Sequence, residues 1–200
     1  MASICVFCAS SLSVEAHYLE LAAQVGAELA ARGHTLISGG GAISSMGAVA
    51  RAARAGGAYT VGVIPRALMD LEVADRDSDE LVVTADMRTR KAEMDARADA
   101  FLVLPGGIGT LEELLEIWVA RVLGMHHRPI VVLDPDNLFA PLREQVRVLV
   151  AKAFMHASAE ALLTWTRSVE EAFEQVEREL ANATQASPLA QDAQDKFQSS

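Results

Sequence analysis

The feature of this sequence that most constrains its fold is the alternation of short apolar runs with segments of helical periodicity. Turn residues bound the apolar runs, and between them the apolar residues recur every three or four positions. This alternation is typical of a parallel sheet with helices packed on both of its faces. The predicted strands are residues 4–7, 35–37, 59–64, 81–83, 100–104, 130–133 and 162–164.

The helical segments have recognisable ends. The first carries an apolar face that includes Ala22, Val25 and Leu29, and Gly33 can close it as a left-handed cap. Further helices are predicted at residues 46–55, 87–97, 141–151 and 168–182. Beyond residue 182 the Gln, Ser, Ala and Asp content rises without periodicity. We therefore expect one domain at residues 1–182 and a mobile tail at residues 183–200.

Size and charge restrict the possible partners. A chain of 200 residues can bury a core of its own without a metal or a disulfide. The net charge of -10 opposes binding of DNA or RNA across a broad surface, although a small phosphorylated ligand can still bind where local dipoles and arginines dominate. No signal peptide and no apolar run long enough to span a membrane is recognisable, so we expect a cytoplasmic protein.

The two cysteines, Cys5 and Cys8, form a C-x-x-C pair within the first apolar run. A zinc site needs a second pair of ligands, and a redox dithiol is expected at the start of a helix. We therefore predict two small buried side chains. The five histidines show no metal-binding spacing, and there is no serine nucleophile motif, so we expect neither a metal nor a cofactor.

Two glycine-rich loops follow predicted strands, where parallel sheets bind their ligands. Residues 38–47 follow the second strand, and residues 105–110 (P-G-G-I-G-T) follow the fifth. The second loop leads into a helix that is predicted to begin at Thr110 and to stop at Gly124. Its unpaired N–H groups and the helix dipole favour a phosphate there. A glycine-rich turn without a ligand is the alternative.

The usual nucleotide motifs do not match either loop. A P-loop requires Lys and then Ser or Thr after its last glycine, but Gly47 is followed by Ala48. A dinucleotide fingerprint requires an acidic residue at the end of the next strand, and residues 59–64 contain none. NAD and ATP are therefore not expected as cofactors.

Glu113 and Arg90 each allow two interpretations. Glu113 completes a capping box with Thr110, or it faces the sugar of a nucleotide whose phosphate binds the turn. Arg90 and Lys91 are solvated surface charges, or Arg90 orients the ligand or the carboxylate through a planar contact. Sequence spacing leaves both questions open.

Two motifs in this order resemble a known family. Residues 105–113 (P-G-G-I-G-T-L-E-E) match P-G-G-x-G-T-x-x-E, and residues 87–91 (M-R-T-R-K) are similar to M-H-x-R-K. Both motifs are characteristic of the LONELY GUY family of cytokinin riboside 5'-monophosphate phosphoribohydrolases. The likeness extends from the first strand to about Asp134. The departures are Arg88 in place of a histidine, and S-S-M-G at residues 44–47 where G-L-M-G is commoner.

The resemblance implies a Rossmann-like, doubly wound α/β fold and a homodimer, with Trp118 and the helices around it as possible interface residues. It implies cleavage of the N-glycosidic bond of adenine-type nucleoside monophosphates, with Arg90 and Glu113 as the catalytic pair. A carrier that binds a nucleotide without cleaving it is the alternative function. The label of lysine decarboxylase given to some members is rejected, because no lysine is placed to suggest a pyridoxal phosphate site. The residues that would bind substrate are Glu72, Met87, Lys91, Gly106, Gly107, Ile108, Gly109, Thr110, Glu112, Gly40, Gly41, Met46 and Gly47.

Overall fold

The computed structural model describes residues 1–69 and 73–198, and the side chains up to residue 183. Within these residues, seven strands form one sheet in which every pair of neighbours is parallel. The strands are β1 (Ser3–Phe7), β2 (Thr35–Ser38), β3 (Thr60–Pro65), β4 (Glu80–Thr84), β5 (Ala100–Val103), β6 (Ile130–Leu133) and β7 (Thr164–Thr166). The predicted parallel sheet is confirmed, and the last strand lies two residues later than expected.

The helices connect these strands and cover both faces of the sheet. They are α1 (Ala16–Ala31), α2 (Ser44–Ala55), α3 (Met87–Arg97), α4 (Ile108–Val122), α5 (Ala140–Ala151), α6 (Ala157–Glu160) and α7 (Val169–Gln198). A short 3₁₀ helix at Arg66–Leu68 and α6 were not predicted. α7 continues beyond the predicted helical end at residue 182, and the division into a domain and a tail stays a prediction.

The strand order is β4-β3-β2-β1-β5-β6-β7. The chain first builds outward from β1 in one direction and then returns to build outward from β5 in the other. The loops that leave β1 and β5 therefore diverge to opposite faces, which opens a crevice at the carboxyl ends of these two strands. This is the doubly wound arrangement, and it places the ligand crevice between Phe7 and Val103.

Two apolar cores lie on opposite faces of the sheet because successive strand residues point to opposite sides. Ile4 and Val6 of β1 pack with α1, α2 and α7, whereas Cys5 and Phe7 pack with α3, α4 and α5. Cys5 and Cys8 are buried, as predicted. Burial raises the pKa of both thiols, so neither forms a reactive thiolate near neutral pH.

Two further features concern the helices. Gly33 has a φ of 70°, which confirms the left-handed turn after α1. Among the residues that the structure describes, no helix is both long enough and apolar enough to cross a membrane.

Candidate functional site

A cavity of about 560 Å³ opens at the carboxyl ends of β1 and β5. This volume is in the range that holds a small organic ligand. Its wall combines the loop after β1, the start of α1, the start of α3 and the start of α4. Of the predicted site residues, the cavity is lined by Met46, Met87, Arg90, Gly106, Gly107, Ile108, Gly109, Thr110, Glu112 and Glu113.

The glycine-rich turn after β5 lines this cavity and leads directly into α4. The first intrahelical bond of α4 runs from the N–H of Leu111 to the carbonyl of Gly107, at 3.1 Å. The N–H groups of Ile108, Gly109 and Thr110 therefore have no carbonyl one turn earlier within the helix. Gly106 cannot be replaced without movement, since a Cβ there would lie 2.1 Å from Oγ1 of Thr110. The turn thus has the form of an anion site.

Two predictions about this helix were wrong, namely its start at Thr110 and the capping box between Thr110 and Glu113. α4 begins at Ile108 with Gly107 as its N-cap residue, and no side chain caps it. The extended backbone of Gly107 lets the chain enter the helix two residues earlier, so Thr110 lies in the first turn and is only 3% exposed. Glu113 consequently follows one turn later and lines the cavity instead of completing a capping box.

Arg90 is held deep in the wall of the cavity, and the surface interpretation of this residue was wrong. It is 4% exposed, although it belongs to a polar helix whose N-cap Asp86 accepts hydrogen bonds from Thr89. Its Nε donates to the carbonyl of Val63 at 3.0 Å, and its Nη2 donates to the carbonyl of Gly39 at 2.7 Å. A buried charge is costly unless it has hydrogen-bond partners, and two partners of Arg90 are these backbone carbonyls.

Lys91 faces away from the cavity toward a neighbouring groove between α3 and α4. Its Nζ bonds to Glu112 and lies 2.6 Å from Oε2 of Glu116. These two carboxylates, Glu112 foremost, raise the pKa of Lys91. The groove is also lined by Arg88 and Glu113, so Glu113 lies at the boundary between the two spaces. Lys91 does not line the first cavity, whereas its partner Glu112 does.

The glycines after β2 pack closely against neighbouring backbone. Gly40 has a φ of 74° and lies so close to β3 that a Cβ would be 3.0 Å from the backbone nitrogen of Val63. A Cβ at Gly47 would lie 1.9 Å from the carbonyl oxygen of Ala42. Gly40, Gly41 and Gly47 do not line the cavity, and their part in binding stays a prediction. Glu72 lies outside the described residues.

The two charges of the predicted catalytic pair both act on one thiol in the lining of the cavity. Cys8 is this lining residue, and burial is the main reason that its pKa is raised. The carboxylate of Glu113 raises the pKa of Cys8 further, and the guanidinium of Arg90 lowers it. Glu113 on α4 and Arg90 on α3 are therefore brought within electrostatic range of the same point, although 23 positions separate them.

The sequence reasoning missed one wall of the cavity. The loop after β1 and the start of α1 contribute Ser10, Ser11, Ser13 and Tyr18. The signal was present, because a hydroxyl-rich loop follows the strand that begins the doubly wound sheet. Leu138, which follows β6, also lines the cavity.

Trp118 cannot be an interface residue as expected. It is 5% exposed, and its indole nitrogen donates to the carbonyl of Ala159 at 2.8 Å. A strip of the same helix beside Trp118 is apolar and exposed. Its exposed side chains are Leu115, Val119 and Val122, and Leu123 and Met125 follow the helix.

The sequence matches a known family over most of the fold. A profile of the family described as "Possible lysine decarboxylase" matches residues 46–176. A protein of Mycobacterium tuberculosis named cytokinin riboside 5'-monophosphate phosphoribohydrolase is 49% identical over 170 residues, which are 85% of this chain and 90% of that protein. A protein of Mycobacterium marinum with the same name is 51% identical over 157 residues, which are 78% of this chain and 83% of that protein.

The fold is shared with more distant proteins. The molybdenum cofactor binding protein from Rippkaea orientalis superimposes with a TM-score of 0.68 and 19% sequence identity. The match covers 88% of this chain and 96% of that protein. At this identity the likeness shows a common architecture and nothing about the ligand.

Proposed function

The chain belongs to the LONELY GUY family of cytokinin riboside 5'-monophosphate phosphoribohydrolases, and from this we propose that it hydrolyses the N-glycosidic bond of adenine-type nucleoside 5'-monophosphates. The products are the free base and ribose 5-phosphate. The observation that supports the proposal most directly is the shared cavity. An anion-binding turn, a carboxylate one turn further along α4 and a buried guanidinium on α3 all line it.

The phosphate binds the turn Gly106–Thr110, whose amides and helix dipole stabilise the negative charge. This contact fixes the ribose so that its anomeric carbon lies beside Glu113. Arg90, held by two backbone carbonyls, keeps the substrate and Glu113 in register. Of the other predicted binding residues, Met46, Met87 and Glu112 also line the cavity around the nucleotide.

The chemical step resembles glycoside hydrolysis. The bond between the anomeric carbon and the base nitrogen breaks with its electron pair leaving on the base, and positive charge develops on the ribose. The carboxylate of Glu113 stabilises this charge, and a water oxygen forms the new bond to carbon. The water loses one proton and the departing base nitrogen gains one, directly or through solvent. The step balances without a metal or an electron acceptor.

The direct test incubates the protein with AMP and with isopentenyladenosine monophosphate and measures the free base by chromatography. We expect base release, and we expect Glu113→Gln to bind nucleotide while turnover falls by at least about 10²-fold. Glu116→Gln, one turn later on the same helix, is the matched control. Tight binding with no base released by the wild-type protein refutes the hydrolase and supports a carrier instead.

A lysine decarboxylase activity is not supported by the cavity. A pyridoxal phosphate enzyme forms a Schiff base with a lysine at its site. Among the described residues that line the cavity there is no lysine, and Lys91 is engaged by two carboxylates in the adjacent groove.

We also propose a homodimer through the exposed apolar side of α4 and the residues that follow it, with Val119 at 55% exposure and Leu123 at 65% exposure. An apolar stripe of this kind is typical of protein–protein contacts.

The net charge of -10 supports a small-molecule substrate rather than a nucleic acid. A cytoplasmic location is part of the proposal, and cell fractionation tests it.

A further inference from the structure

A buried ion pair lies outside the cavity and joins α2 to the segment that precedes β4. Arg54 on α2 donates to both carboxylate oxygens of Asp75, at 2.7 Å and 3.1 Å. The side chains are 18% and 5% exposed. Two charges of this kind are costly to bury, and the two-point contact fixes both the distance and the angle between the groups. Neither residue lines the cavity, so binding of the ligand does not account for the pair.

The segment that carries Asp75 is clamped to the loop after β2, residues 39–42. The N–H of Asp75 donates to the carbonyl of Gly40 at 2.8 Å, and the N–H of Ala42 donates to the carbonyl of Val73 at 2.8 Å. Gly41 and Ala74 form an antiparallel bridge. The segment therefore lies antiparallel to this loop, joined to it by these two hydrogen bonds and one isolated bridge.

The loop needs such a clamp because it contains three consecutive glycines, Gly39, Gly40 and Gly41. Glycine has the widest choice of backbone conformations, so this loop has little conformational preference of its own. α2 supplies further contacts, since Arg51 donates to the carbonyl of Ala42 at 2.9 Å. The end of the loop nearest the cavity is Gly39, whose carbonyl accepts from Arg90.

These contacts form one path from the ion pair to the cavity. We propose that Arg54 and Asp75 are positioning residues that fix the loop 39–42, and through the carbonyl of Gly39 hold the guanidinium of Arg90 in its working place. The inference rests on the proposed function only for the role of Arg90. The pair acts on turnover without touching substrate.

The test uses an apolar replacement of the pair, Arg54→Met/Asp75→Leu, because exchanging both buried charges for apolar groups often preserves stability. We expect kcat for nucleotide hydrolysis to fall by about 10- to 100-fold, as a misplacement of about 1 Å does at other sites. Binding of ribose 5-phosphate, measured by thermal shift, stays at the wild-type level because it depends on α4. Arg54→Lys keeps the charge without the two-point contact and gives an intermediate kcat.

The matched control is Arg147→Met/Glu144→Gln, which removes an exposed ion pair on α5 and leaves kcat unchanged. A folded Arg54→Met/Asp75→Leu variant with wild-type kcat overturns the inference. A fall in kcat that matches the fall in the fraction of folded protein also overturns the inference, because the ion pair would then affect only stability. If the double variant does not fold, kcat and the folded fraction are measured for Arg54→Lys instead. Wild-type kcat, or a fall in kcat that matches the loss of folded protein, then overturns the inference.

A crystal structure of the folded variant separates this inference from the proposed function. We expect the bond between Nη2 of Arg90 and the carbonyl of Gly39 to be lost or lengthened. If the wild-type protein releases no base, the proposed function fails, and the inference is then judged on this distance alone. An unchanged distance overturns it.

Discussion

The backbone carbonyl of Gly39 accepts a hydrogen bond of 2.7 Å from Nη2 of Arg90. This bond joins the loop after β2 to α3, and it holds a buried positive charge in the wall of the cavity that the glycine-rich turn after β5 also lines. There is no room for a side chain at position 39, since a Cβ on Gly39 would lie 2.1 Å from the same nitrogen.

Gly39→Ala is therefore expected to displace Arg90. We expect kcat for AMP hydrolysis to fall by about 10²-fold, because the guanidinium must move by roughly 1 Å to admit the methyl group. Binding of ribose 5-phosphate is expected to persist, since the phosphate is proposed to bind the turn after β5. Wild-type kcat in a folded Gly39→Ala variant would contradict the role of this contact.

Gly106→Ala is expected to damage the phosphate site itself. Its Cβ would lie 2.1 Å from Oγ1 and 2.7 Å from Cβ of Thr110, which is buried beneath the turn. Overpacking of this kind costs about 1–3 kcal/mol and shifts the backbone, so we expect the Kd for ribose 5-phosphate to rise by about tenfold or more. Isothermal titration and thermal unfolding measure the two effects.

Gly109→Ala is the comparison for stability at this turn. Nothing lies within 4 Å of a Cβ at Gly109, which belongs to the first turn of α4. Alanine is favoured over glycine in a helix by about 0.5–1 kcal/mol, so the Tm of this variant is expected to equal or exceed that of the wild-type protein. If Gly106→Ala and Gly109→Ala bind and unfold alike, the steric argument at Gly106 is wrong.

Val119→Glu is expected to produce monomers if the exposed face of α4 is the dimer interface. Val119 is 55% exposed, and a carboxylate buried without a partner between two copies would weaken association strongly. Sedimentation of the wild-type and variant proteins at micromolar concentration measures the change. Val148→Glu places the same charge on α5 at a site that is 37% exposed, and it should leave association unchanged. A monomeric wild-type protein removes the dimer proposal.

His126 is expected to make stability depend on pH. Its Nε2 donates to the carbonyl of Ile117 at 2.9 Å, and its Nδ1 accepts from the N–H of Arg128 at 3.2 Å, so the neutral ring satisfies both contacts. Burial lowers the pKa of His126 below its ordinary value of 6.5, and the charge of Arg128 lowers it further. The unfolded chain therefore binds more protons than the folded chain as pH falls through 6.5 toward the lower folded pKa.

The stabilising effect of the neutral ring is thus complete above pH 6.5 and is lost as the pH falls through that value. We expect the Tm of the wild-type protein to drop more between about pH 7.5 and pH 5.5 than the Tm of His126→Gln, whose amide can keep both contacts without titrating. Thermal unfolding over this range measures the difference. Parallel curves for the two proteins would show that His126 does not contribute.

The sequence by itself determined the features that depend on local chemistry. Strand residues such as Ile130–Leu133 must be buried on both faces of a parallel sheet, so they form apolar runs that can be recognised without coordinates. The turn at Gly106 and Gly107 was recognisable for a different local reason. Glycines next to a predicted helix start let the backbone come close to an anion. The predicted glycine-rich turn does line the cavity.

Only the tertiary structure decided which residues meet around that turn. The burial of Arg90 depends on Gly39 and Val63, which lie 51 and 27 positions away and reach it only through the strand order. The same order brings the loop after β1 to the cavity and turns Trp118 inward. Contacts between distant positions are set by the packing of the whole sheet, and a local pattern carries no information about them.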